Sequence, residues 1–111
     1  MIVDDHAIVR KGIRALLSES GGFEIVAEAA EGQEAVLAAE QTQPDVILMD
    51  LLMPGMDGIE ATRRITGSRP EARVLVLTSF AADNKLFPAI KAGALGYLLK
   101  DSSPEELVRA V

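Results

Sequence analysis

Residues Val46-Ile47-Leu48-Met49-Asp50 set four apolar side chains in succession and then a carboxylate. A strand buried on one face alternates apolar with polar. Apolar residues at consecutive positions mark a strand covered on both faces, as in a parallel sheet flanked by helices. Asp50 then stands where the strand leaves the core, and Leu51-Leu52-Met53-Pro54-Gly55-Met56-Asp57-Gly58 breaks away as a loop. Three other stretches end in a similar way. Ile2-Val3 runs into Asp4-Asp5, Val74-Leu75-Val76-Leu77 into Thr78-Ser79, and Tyr97-Leu98-Leu99 into Lys100. In a parallel sheet these ends share one edge, so three acids, a hydroxyl and an amine are expected to gather there.

Helical spacing fills the intervals between these strands. Val9, Ile13, Leu16 and Leu17 predict a helix from about Ala7 to Ser18, and Gly21-Gly22 ends it. Phe23 to Ala29 reads as a strand, Gly32 to Gln41 as a helix with Ala35, Val36 and Ala39 inward, and Gly58 to Ile65 as a helix carrying Ile59, Thr62 and Ile65. Proline is tolerated only in a first helical turn, so Pro88 predicts a helix starting near Leu86 or Phe87 and stopping at Gly93. Ser103-Pro104-Glu105-Glu106 has the pattern of a capping box and opens a final helix. Strands alternating with helices five times predict an α/β domain, a doubly wound five-stranded parallel sheet with helices on both faces. Only three residues precede Asp4, whereas strands run about 5–6 residues, and the last helix stops after about two turns. A domain truncated at both ends is therefore expected.

At 111 residues the chain has room for one domain, 1–111, and not for two. It has no cysteine, which excludes both a disulfide framework and a thiolate metal site. No apolar run approaches the roughly 20 residues needed to cross a bilayer, so a cytoplasmic location without membrane contact is expected. The formal charge of −6 argues against nucleic-acid binding by this segment, because phosphate backbones select clustered Lys and Arg. Arg10, Lys11 and Arg14 on one predicted helix, and Arg63 and Arg64 on another, read as solvated helix faces.

Asp4, Asp5 and Asp50 form an oxygen cluster suited to a hard cation such as Mg²⁺. Any one of them alone would read as a solvated strand-end acid. Together they repel one another, and that repulsion calls for a cation. Lys100 supplies a point charge for a phosphoryl oxygen, or a salt bridge to the acids when no phosphoryl group is there. Thr78 supplies a neutral donor. A carboxylate in such company can act as a nucleophile and form an aspartyl phosphate. His6 has no second His or Cys to join it as a metal ligand, and reads as an exposed residue opening the first helix. Met49, Met53 and Met56 read as packing residues.

Ile-Val-Asp-Asp-His at 2–6, Leu-Met-Asp-Leu-Leu-Met-Pro-Gly-Met-Asp-Gly at 48–58, Leu-Thr-Ser at 77–79 and Gly-Tyr-Leu-Leu-Lys-Asp at 96–101 resemble the receiver domain of two-component response regulators. The opening Asp-Asp-His and the closing Lys-Asp-Ser-Ser-Pro-Glu-Glu-Leu are similar to the NarL/LuxR-type subclass, whose members usually carry a helix-turn-helix output domain. The resemblance implies a flavodoxin-like, CheY-like fold and makes Asp50 the phosphoacceptor. It implies Mg²⁺ held by Asp5, Asp50 and the backbone carbonyl of Leu52, with Asp4 acting through a water. Thr78 and Lys100 would contact the phosphoryl group, and Tyr97 would be the aromatic that switches with Thr78. The donor would be a histidine kinase or acetyl phosphate. The outcome would be homodimerisation and transcription control through a DNA-binding output domain absent from these 111 residues. On this reading the chain is no enzyme beyond assisting its own phosphorylation and dephosphorylation.

Some positions depart from the commonest family pattern. Asp101 follows Lys100 where Pro is frequent, and Ser79 offers a second hydroxyl beside Thr78. Leu52 and Phe80 are bulky apolar residues that would obstruct the water hydrolysing an aspartyl phosphate. The competing expectation is a Mg²⁺-dependent phosphatase or phosphotransferase with an aspartyl nucleophile. Against it, Leu52 stands two residues after Asp50 where a second acid would serve such chemistry, and no Gly-rich phosphate loop is present.

Overall fold

The computed structural model describes residues 1–51, 53, 55–78, 86–100 and 103–111. Within them the chain runs β1 (Ile2–Val3), α1 (Ala7–Ser20), β2 (Glu28–Ala29), α2 (Gly32–Thr42), β3 (Val46–Asp50), α3 (Gly58–Ser68), β4 (Arg73–Thr78), α4 (Leu86–Lys91), β5 (Gly96–Leu99) and α5 (Pro104–Ala110). All strand pairs are parallel, in the order β2-β1-β3-β4-β5. The consecutive apolar residues of β3 are buried on both faces, as their pattern predicts: Ile47, Leu48 and Met49 are all at most 2% exposed.

The two faces carry separate cores. Val3, Ile47, Met49, Val74 and Val76 point to one side and meet Ala35 and Ala39 of α2, Ala61 and Ile65 of α3 and Ala89 of α4. Ile2, Leu48 and Leu77 point to the other and meet Ile13 and Leu17 of α1 and Leu107 of α5. Each fully buried aliphatic side chain contributes about 1.5–3 kcal/mol, so the central strands supply much of the stability that fixes the sheet edge. Met49 and Met53 belong to the first core and Met56 packs against it, which accounts for the methionines as packing.

Two helix starts carry side-chain caps. Asp57 Oδ1 accepts the Glu60 N–H at 2.9 Å at the start of α3, and Ser103 Oγ accepts the Glu106 N–H at 3.3 Å at the start of α5. Apart from shifts of a single residue at other ends, the structure departs from the sequence reading most clearly at three boundaries. β2 covers Glu28–Ala29 rather than 23–29, because β1 offers register partners only to those two residues. Phe23 and Ile25 instead pack against the core beneath α1 and α5. α3 passes through Gly67 to Ser68, with the Arg69 N–H still bonded to the Ile65 carbonyl. α1 runs two residues beyond Ser18 before Gly21 and Gly22, both at positive φ, turn the chain.

Candidate functional site

The chain leaves β1 toward β2 on one side, and continues from β3 toward β4 on the other. Such a reversal opens a crevice at the carboxyl ends of the two neighbouring strands. Asp4 and Asp5 follow β1 there, and Asp50 is the last residue of β3. Ligand atoms of Asp4, Asp5, His6 and Asp50 all lie within 4.8 Å of one another.

The three acids differ in setting. Asp4 is fully buried and Asp50 is 3% exposed, whereas the Asp5 side chain is 28% exposed. Asp4 Oδ1 accepts the His6 backbone N–H at 2.8 Å, and its main-chain N–H donates to the Ala29 carbonyl at 3.0 Å. Lys100 Nζ sits between the two buried acids, 3.1 Å from Asp4 Oδ2 and 3.2 Å from Asp50 Oδ1. Burial works against the charge on Lys100. The contact with Asp4 and the negative field of Asp50 and Asp4 outweigh that penalty and hold its pKa above the ordinary lysine value. Lys100 is thus the salt-bridge partner of both acids at once. With all three acids ionised, three carboxylates against one ammonium leave two net negative charges, the amount a divalent cation neutralises. Oxygen donors of this kind suit a hard cation.

His6 caps α1 and its side chain is 68% exposed, as expected of a residue opening that helix. Its Nδ1 nevertheless lies 3.0 Å from Asp5 Oδ1 and 3.2 Å from Asp4 Oδ1. Thr78 ends β4 and is buried. It stands one residue past Leu77, the register partner of Asp50, and its carbonyl accepts the Lys100 N–H at 2.8 Å. Tyr97 pairs in register with Val76 and Leu99 with Thr78, so Tyr97 lies on the same sheet face as Thr78, two pairs earlier. Its side chain is among the exposed large apolar groups, at 46%. Leu52, Ser79, Phe80 and Asp101 lie outside the described residues, and with them the expected carbonyl ligand, the second hydroxyl, both apolar shields and the bond after Lys100.

The chain that builds these strand ends matches a family description over its whole length: the response regulator receiver domain, residues 1–111. The chain belongs to that family. This receiver domain is 48% identical over 111 residues to the transcriptional regulatory protein LiaR of Bacillus subtilis, covering 100% of this chain and 53% of that protein. Among solved structures it is similar to a LuxR-family two-component response regulator from Aurantimonas, at 46% identity and a TM-score of 0.92, covering 99% of this chain and 79% of the other. It is also similar to CheY in the CheX–CheY–BeF3–Mg complex of Borrelia burgdorferi, at 27% identity and a TM-score of 0.89, covering 97% and 81%. The receiver spans about half the length of the curated relatives it matches. No helix among its described residues is long and apolar enough to cross a membrane.

Two contacts at the receiver's acidic edge are not expected from the sequence, although Gly58 itself closes the 48–58 stretch. Gly58 packs directly on the Asp50 main chain, where a β-carbon would lie 2.2 Å from the Asp50 carbonyl oxygen. Arg10 is no solvated helix residue: its Nη1 donates to the Asp4 main-chain oxygen at 2.6 Å and its Nε lies 3.4 Å from Glu28 Oε1.

Proposed function

We propose that this receiver domain is a phosphorylation-controlled switch whose phosphoacceptor is Asp50. The observation that carries the reading is the position of Lys100 between Asp4 and Asp50, which puts a cation against a buried carboxylate at the sheet's switch point. An Asp50 oxygen attacks the phosphorus of a kinase phosphohistidine or of acetyl phosphate. The P–O bond to Asp50 forms as the bond to the donor's nitrogen or oxygen breaks, and the donor leaves as histidine or acetate. Water later cleaves the acyl phosphate, returning the carboxylate and inorganic phosphate.

Asp5, Asp50 and the Leu52 carbonyl would hold Mg²⁺, which when bound offsets the charge of the phosphoryl oxygens. Both Asp4 oxygens are engaged, one by the His6 N–H and the other by Lys100. That favours an outer role for Asp4, through water, and leaves the more exposed Asp5 for direct contact. A relative crystallised with BeF3 and Mg supports the same chemistry here. Once Asp50 is phosphorylated, Lys100 and the Thr78 hydroxyl turn to the new oxygens, and Tyr97 on the same face follows Thr78. That biases the β4–β5 side of the domain between two arrangements. Self-association and release of a DNA-binding output domain in a longer cytoplasmic protein are the proposed consequences, with a histidine kinase as the partner that delivers the phosphoryl group.

The test is incubation with Mg²⁺ and acetyl phosphate, followed by intact mass and size measurement of the wild type and of Asp50→Asn. The wild type should gain one labile phosphoryl group and change association state, and the variant should do neither. Labelling that survives in Asp50→Asn, or continuous turnover of an added phosphoester, would overturn the proposal.

A further inference from the structure

Arg10 begins from an unusual position for a cation beside an acidic site. Its guanidinium lies close to the Asp4-Asp5 turn, yet its short contact is to a main-chain oxygen, Asp4 O at 2.6 Å. Its charge is taken up on the other side by Glu28, 3.4 Å from Nε, and Glu28 is itself held by Arg14 Nη2 at 2.9 Å. Arg10 and Glu28 are only 20% and 24% exposed, so this is no loose surface pair. Glu28 is the β2 residue in register with Ile2 of β1. The contacts therefore tie three pieces together: the first turns of α1, the end of β1 and the start of β2.

We infer that Arg10, steered by Glu28, is a positioning residue that sets the acidic turn for its divalent cation. Arginine suits the role because its planar fork can serve two acceptors in fixed directions, which a lysine ammonium on a flexible stem does not. The geometry also answers the objection that a cation near a metal site should weaken it. Glu28 holds Arg10 toward the carbonyl and away from the carboxylate oxygens, so Asp4 and Asp5 keep their negative charge available. Partners that orient metal ligands commonly change metal affinity by about 10–100-fold when removed. The inference rests on the acidic edge being a Mg²⁺ site.

The experiment measures labelling rate with acetyl phosphate across a Mg²⁺ titration in the 111-residue chain, for the wild type, Arg10→Met, Glu28→Gln and the exposed-arginine control Arg64→Met. A parallel titration follows the Asp5 and His6 amide resonances with Mg²⁺ alone, and thermal unfolding reports folding. Arg10→Met should raise the half-saturating Mg²⁺ concentration about tenfold, with the rate at saturating Mg²⁺ within about twofold of wild type. Glu28→Gln should shift it in the same direction, because the released guanidinium can then reach the carboxylates. Arg64→Met should match wild type. An unchanged half-saturation in Arg10→Met overturns the inference. So does a rate lowered equally at every Mg²⁺ concentration alongside a lower melting temperature, the mark of a purely structural role. A wild type that shows no Mg²⁺ dependence overturns the metal-site reading itself, a separate result.

Discussion

Gly58 is pressed against Asp50: a β-carbon at Gly58 would meet the Asp50 carbonyl oxygen at 2.2 Å, the Leu51 Cα at 2.8 Å and the Asp50 carbonyl carbon at 3.0 Å. All three are main-chain atoms, which cannot rotate out of the way as a side-chain tip would. Replacing Gly58 by Ala must therefore move either the start of α3 or the end of β3. The expected cost is about 2 kcal/mol, the usual range for overpacking, together with slower labelling of Asp50 by acetyl phosphate. Gly12 provides the contrast, since nothing lies within 4 Å of its added β-carbon in the interior of α1. Gly12→Ala should stabilise by about 0.5–1 kcal/mol through backbone entropy alone. Denaturant unfolding of the two variants checks the opposite signs, and equal effects would contradict the packing argument.

Lys100→Met removes the ammonium that stands between two buried carboxylates. Breaking a buried ion pair from one side typically costs about 3–5 kcal/mol. The lower end is expected here, because the Lys100 side chain is 24% exposed. The pH dependence follows from the raised pKa of Lys100. A basic group held above its unfolded value, about 10.4, stabilises fully below that value and ceases to do so as pH rises through the folded one. The difference between wild type and Lys100→Met in urea should thus hold steady from neutral pH to about pH 10 and shrink only in stronger alkali. A difference that fades between pH 7 and 9 would show that Lys100 does not carry this charge balance. Mg²⁺ should recover part of the lost stability, since a divalent cation can take over the same duty.

The acids and the amine were readable in the sequence because each closes an apolar run, and chain order in a parallel sheet delivers such ends to one edge. Val46–Asp50 was readable for the same reason, as burial on both faces leaves consecutive apolar residues. The β2 boundary was not. Ile25 and Val26 are apolar enough for a strand, but ladder pairing depends on a partner, and β1 supplies one only for Glu28 and Ala29. The contacts of Arg10 and Gly58 escaped for another reason, although Gly58 itself closes the 48–58 motif. Their partners are main-chain oxygens, of Asp4 and Asp50, and a main-chain partner leaves no residue pattern to detect. Gln43 shows the limit of turn rules: it closes α2 in the left-handed region at φ 46°, where glycine is the usual choice.

That position yields its own prediction. A left-handed C-cap favours glycine because no β-carbon crowds the following carbonyl. The Gln43 N–H already bonds to the Ala39 carbonyl, a contact that a glycine would keep. Gln43→Gly should therefore stabilise, by up to about 1 kcal/mol after its own entropy cost in the unfolded chain. Gln43→Val should destabilise by more than that, since a β-branched residue tolerates positive φ poorly. Melting temperatures of the pair relative to wild type decide it, and a Val variant as stable as the Gly variant would mean that α2 ends differently in solution.

One hydroxyl ties the junction after α4 to α3. Thr66 Oγ1 lies 2.8 Å from the Ala92 carbonyl, 26 residues away, and 2.9 Å from the Thr62 carbonyl within its own helix. The hydroxyl has one hydrogen to give, and only the Ala92 bond joins two elements. Gly93 follows at φ 120°, and a β-carbon there would meet Thr66 Oγ1 at 2.5 Å and its Cβ and Cγ2 at 2.9 Å. The next residues lead straight into β5, where the Leu95 N–H bonds to the Val74 carbonyl. Thr66→Val keeps the shape and removes the donor, so it should cost about 1 kcal/mol. Gly93→Ala combines a strained backbone with a collision and should cost more, about 2–3 kcal/mol. Hydrogen exchange separates a local effect from a global one. In Thr66→Val the Ala94 and Leu95 amides should lose protection while Val76, in the middle of β4, loses only what the fall in global stability dictates. Uniform loss at all three amides would mean that Thr66 supports the fold as a whole and does not specifically anchor the end of α4.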